Sequence, residues 1–124
     1  MAIVYAIQKQ RIWSPKKGDY VSKFDFEPAE RFGEIRFLLG PTAVPFNINP
    51  IIADLKNGLK DFAGEDYLLL VGSPIFIGLS AAIALDVTDG LARFLQWSGR
   101  DNDYVEIAVS DVFIGDSTNP ENGL

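Results

Sequence analysis

A chain of 124 residues with neither cysteine nor histidine is long enough to bury about two-thirds of its unfolded surface in one domain. It lacks the residues for disulfides, thiolate zinc sites, iron-sulfur clusters, histidine-based metal centres and Ser-His-Asp triads. The formal net charge of -6 is unevenly placed: residues 1–100 hold eleven basic and eleven acidic side chains, and Asp101, Asp103, Glu106, Asp111, Asp116 and Glu121 supply the excess. Near the other end Lys9, Arg11, Lys16, Lys17 and Lys23 face only Asp19, so a basic end and an acidic end bracket a neutral middle.

The first residues, Met-Ala-Ile-Val-Tyr-Ala-Ile, have no charged n-region and no small-residue cleavage site, and do not read as a signal peptide. Residues 3–7 read as a strand that Arg11-Ile12-Trp13 continues to the turn at residues 14–19. The alternation from Tyr20 to Phe26 predicts a returning strand, which makes residues 3–26 a hairpin with a basic tip. Residues 27–33 read as one helical turn ended by Gly33, residues 34–39 as a second core strand, and residues 40–49 as a loop. Asn49-Pro50 signals a helix start, and Ile51, Ile52, Leu55, Leu59 and Phe62 repeat at helical spacing. Residues 67–71 form a continuous apolar strand, Ser73-Pro74 repeats the cap-then-proline signal, and a second helix runs from 75 to about 87.

Residues 91–97 and 104–109 read as strands paired antiparallel across a polar turn. Residues 116–124 are expected to form a flexible acidic tail beyond a single domain over 1–115, with its core at 34–109. The expected fold is α/β: a single-domain layered sandwich, a mixed sheet of about five or six strands, two main helices and an N-terminal β-hairpin. Residues 67–85 are uncharged and long enough to span a membrane. Gly72-Ser73-Pro74 divides that run, however, and Glu65, Asp66, Asp86 and Asp89 flank it without a Lys or Arg cluster, so no span is expected.

Three features bear on chemistry. The strand-to-helix junction at Gly72 and Ser73 is either a capped tight turn or an anion-binding edge, and it lacks the spacing of a dinucleotide or phosphate loop. The helix over 75–87 is apolar nearly all round. Its Gly78, Ala81, Ala82 and Ala84 fit either burial against the sheet or a self-association surface in a homo-oligomer. The hairpin interleaves Lys9, Arg11, Lys16, Lys17 and Lys23 with Trp13 and Tyr20, the mixture of charge and rings used by single-strand nucleic-acid binders. A solvated hairpin tip kept soluble by lysine has the same composition, and the same two readings apply to Arg93, Trp97 and Arg100.

The carboxylate pairs Asp54/Asp61, Asp86/Asp89 and Asp101/Asp103 match neither glycosidase chemistry nor a calcium loop. No catalytic residue, metal or cofactor is assigned.

Residues Glu27-Pro28-Ala29-Glu30-Arg31-Phe32-Gly33-Glu34, Asp66-Tyr67-Leu68-Leu69-Leu70-Val71-Gly72-Ser73-Pro74, Ile77-Gly78-Leu79-Ser80-Ala81-Ala82-Ile83-Ala84 and Phe94-Leu95-Gln96-Trp97 carry a likeness over most of 4–109. In them the chain resembles a family of small uncharacterised proteins encoded by tailed bacteriophages. Family members commonly have Gly-Asp-Pro where this chain has Gly72-Ser73-Pro74, and Leu-Lys-Trp-Asp where it has Leu95-Gln96-Trp97-Ser98; both changes remove charges. The resemblance implies a phage origin and the cytoplasm of an infected bacterial host, and no reaction. The expected function is that of a non-enzymatic phage accessory protein. Its partner would be nucleic acid or a host or phage replication, transcription or defence protein. The alternatives are a small-molecule or nucleotide binder at the Gly72-Ser73 junction, or a minor virion structural protein.

Overall fold

The apolar run at the start of the chain, β1 (Ile3–Gln8), is buried from Val4 to Gln8, as a strand must be when a neighbour pairs on each side and layers cover both faces. It pairs in parallel with β4 (Glu34–Leu39) and with β5 (Tyr67–Leu69). Parallel pairing continues from β5 to β6 (Ala92–Ser98), and β7 (Asp103–Val109) closes the sheet antiparallel to β6. The five-stranded mixed sheet has the order β4-β1-β5-β6-β7. The computed structural model describes residues 2–114; the expected acidic tail at 116–124 lies outside them.

The predicted hairpin is shorter than its reading over residues 3–26 and does not include the first strand. β2 (Arg11–Ser14) and β3 (Asp19–Ser22) pair with each other alone, as a separate two-stranded ribbon. Residues 3–8 are too apolar to serve as one arm of a solvated ribbon, and Gln8 turns its side chain inward. Its Nε2 donates to the carbonyls of Gly40 (2.8 Å) and Ala43 (2.9 Å). The Lys23 N–H then closes the base of the ribbon on Gln10 O at 2.7 Å.

Alternation along β1 feeds two layers. Tyr5 packs with Leu59, Phe62, Leu68 and Ala84, and Ile7 with Ile51, Leu55 and Phe76. These side chains belong to α1 (Ile48–Leu59), to α2 (Pro74–Thr88) and to the loop and strand between them, so both helices cover one face of the sheet. Val4 and Ala6 face the other side, toward Ala29 and the rings of Phe24, Phe26 and Phe32 around a 3-10 helix (Glu27–Phe32). Each of the fully buried side chains Ile7, Leu55, Leu59, Leu68, Leu69 and Leu95 contributes about 1.5–3 kcal/mol by leaving water.

α1 starts two residues before the Asn49-Pro50 signal, behind Asn47. Pro50 falls in the first turn, where its missing N–H would have had no helical acceptor. α2 buries Phe76, Ser80 and Ala84, while Ile75, Gly78, Ala82 and Val87 stay exposed. Burial therefore accounts for one face of this helix and leaves the opposite one open. The uncharged run at 67–85 is divided by Gly72 into a strand and a helix, and no helix among the described residues is long and apolar enough to cross a membrane.

Candidate functional site

All four parallel strands point the same way, and the strand order reverses between β1 and β5. Open sheets of this kind leave a crevice outside the carboxyl ends of the strands at such a reversal. Here the ribbon β2-β3 leaves the carboxyl end of β1, and its return segment Lys23-Phe24-Asp25 borders a cleft of about 400 Å³. The cleft is completed by Leu70, Val71 and Gly72 after β5, Ile77 of α2, Trp97 of β6 and Tyr104 of β7.

Its walls are mostly apolar and partly aromatic. Trp97, 40% exposed, meets Tyr104 edge-on with ring centres 5.0 Å apart. The Tyr104 hydroxyl donates to the Asp25 carbonyl at 3.1 Å, and burial, followed by the Asp25 charge, raises its pKa above the ordinary tyrosine value. The Asp25 carboxylate accepts the Glu27 N–H at 3.0 Å and so starts the 3-10 helix. Lys23 is exposed, with Nζ 5.4 Å from the Phe24 ring centre.

Gly72 has φ 126, a backbone angle that side-chain-bearing residues rarely adopt, in otherwise open space. Ser73 is extended and makes no side-chain cap; its carbonyl accepts the first α2 bond, from Ile77 N–H at 3.0 Å. Of the two junction residues, Gly72 lines the cleft and Ser73 does not.

The basic residues divide among three places. Lys23 also borders a second hollow of about 260 Å³, together with Gln8, Gln10, Arg11 and Ile12 of the ribbon base and the loop after β4. Lys9 faces a wider groove of about 770 Å³ beside β4, lined by Arg31, Phe26, Phe32 and Phe37. Lys16 and Lys17 occupy the exposed ribbon tip. In the ribbon, the pairs Arg11/Ser22 and Trp13/Tyr20 alternate with Ile12/Val21, so Arg11, Trp13 and Tyr20 share one face. Trp13 and Tyr20 are 53% and 62% exposed, and their rings meet edge-on at 5.3 Å.

The sequence showed the cations and the ribbon rings, and it missed Phe24, Asp25 and Tyr104 as wall residues. For Phe24 and Tyr104 the only sequence signal was an aromatic residue near a strand end, which a core uses equally, and for Asp25 there was none. Arg93 is drawn elsewhere, over the Tyr67 ring (4.2 Å) and onto the Glu65 carbonyl, while Arg100 lies in the solvent-exposed turn beside Asp101. Among the described residues no group of three or more His, Cys, Asp or Glu side chains gathers as a metal site. No curated protein and no solved structure matches the chain. Residues 2–111 match the family described as Phage Pam3 gp32-like protein, and the chain belongs to that family.

Proposed function

We propose that this phage protein is a non-enzymatic binder of single-stranded nucleic acid in the infected bacterial cytoplasm, holding the strand across the ribbon face and the carboxyl edge of the sheet. The observation that carries this reading is the shared face of Arg11, Trp13 and Tyr20, with both rings open to solvent and Lys16 and Lys17 at the tip. A pair of aromatic residues buried for stability would not each be more than half exposed. Stacking on such rings is worth about 1–3 kcal/mol per base and tolerates any sequence, while lysines follow the phosphates.

Titrating the protein with single-stranded DNA and RNA, read by tryptophan fluorescence at about 50 and 200 mM salt, tests the proposal. Quenching that weakens steeply with salt is the expected result, and Trp13→Ala should weaken binding by about 5- to 150-fold. Absence of binding at the lower salt sinks it. A second reading, a free nucleotide in the cleft, is favoured by Lys23 and Gly72 lining the same cavity. It predicts a thermal shift from mononucleotides, since ligand at a hundred times its Kd stabilises by about 2.7 kcal/mol.

A further inference from the structure

We propose that the outer edge of β7 pairs antiparallel with β7 of a second copy of this chain, about a two-fold axis at Ile107, so that two five-stranded sheets become one. The argument begins with the direction of the main-chain groups. Leu70 N–H donates to Leu95 O at 2.9 Å, so Leu95 faces β5 and its neighbours Phe94 and Gln96 face β7. Phe94 is opposite Ile107 and Gln96 opposite Val105. Val105 and Ile107 therefore bond to β6, and the N–H and C=O groups of Tyr104, Glu106 and Ala108 point outward.

At Tyr104 that edge is already closed. Its N–H donates to Asp103 Oδ1 (2.8 Å), its carbonyl accepts Arg31 Nη2 (3.1 Å), and Arg31 and Asp103 form an ion pair at 3.0 Å. Glu106 and Ala108 have no such partners among the described residues. Natural edges are usually blunted by lysine, proline or outward charge. From Tyr104 to Val109 there is no lysine, arginine or proline, and the single carboxylate, that of Glu106, accepts the Tyr67 hydroxyl at 3.1 Å over the sheet's own face. The opposite edge, β4, carries the exposed ion pair Glu34–Arg36.

A two-fold axis at Ile107 fits these groups. It sets Ile107 opposite itself, Val105 opposite Val109 of the partner subunit, and Glu106 opposite Ala108 of the partner subunit. Both outward-facing residues of each chain then exchange paired hydrogen bonds, and pairing stops where the Arg31–Asp103 closure begins. Val105 and Ile107, 36% and 40% exposed, would cover each other on the helix side of the sheet. Centring the axis on Glu106 instead would oppose two glutamates and require the occupied groups of Tyr104. Residues 115–124, which contain Pro120 and no valine, isoleucine or aromatic residue, are a poor competing strand.

Sedimentation velocity of the full chain over a wide concentration range tests this, with the expected limit at twice the 13.7 kDa chain mass. Ile107→Lys opposes two ammonium groups at the axis, and Ala108→Pro removes an outward N–H without touching the β6 ladder. Each should give a monomer with an unchanged circular dichroism spectrum. A wild-type monomer at every concentration overturns the proposal, whether the edge then serves an extended peptide or residues 115–124. A dimer that survives both substitutions overturns it too. Should a variant fail to fold, hydrogen exchange of the wild type decides: slow Glu106 and Ala108 amides support the pairing, and amides as fast as an open edge refute it.

Discussion

Asp66 is only 4% exposed, and its two carboxylate oxygens accept the N–H groups of Ile3 (2.9 Å) and Ala63 (3.0 Å). It fastens the start of β1 to the loop that delivers β5, while Gln8 fastens the end of β1 to the loop after β4. β1 is thus held at both ends by side chains as well as by its ladders. Removing the carboxylate leaves two part-buried donors unpaired, and each costs about 1–3 kcal/mol. Asp66→Ala should therefore lower unfolding stability by about 2–5 kcal/mol in urea titration; a loss within the scatter of surface substitutions would show that the clip carries no stability. In the sequence Asp66 is merely a charge in front of an apolar run, because its partner lies 63 positions away.

At the level of elements, the junction between β5 and α2 depends on one backbone angle. Gly72 has φ 126 with nothing within contact of an added Cβ, so strain rather than crowding is the cost of a side chain there. Gly72→Ala is expected to cost about 1–3 kcal/mol, measured as a shift in unfolding midpoint, while leaving the spectroscopic signature of the fold intact. Local patterning made most elements legible: the helical spacing of Ile51, Leu55 and Leu59, the continuous run into β5, and the polar turn between β6 and β7. It failed at the first strand, because an apolar segment followed by a basic turn looks the same whether it pairs with the returning segment or with β4 and β5. Pairing is decided by burial, and Ile3–Gln8 is buried far beyond what a two-stranded ribbon offers. The cations and rings of the candidate site were legible as residue types. The meeting of Lys23 with Gly72, Trp97 and Tyr104 at one cleft was not, since it depends on strand order.

For the whole molecule, three tyrosines tie the layers together and make the fold sensitive to alkali. Burial is the leading cause that raises the pKa values of Tyr5, Tyr67 and Tyr104 above 10.0, aided by Asp66, by the Glu106 hydrogen bond and by Asp25 respectively. A raised folded-state pKa means that the neutral phenol is favoured by folding. The associated stability is complete below about pH 10 and is lost as pH rises toward the folded values. Urea midpoints should be level from neutral pH to about 9 and fall above 10; a midpoint that does not fall would mean that the phenols ionise equally in both states. The sheet order also has a consequence for how the chain is made. Val4 must pair with Ile35 on one side and with Tyr67 on the other, so β1 leaves the ribosome before both of its neighbours and waits longer for its second one than any other strand of the sheet. At about 5–20 residues per second that wait is roughly 3–13 s, during which an uncharged strand has at least one flank bare. Synthesis of this protein thus has a built-in interval of exposure that neither its small size nor its final burial reveals.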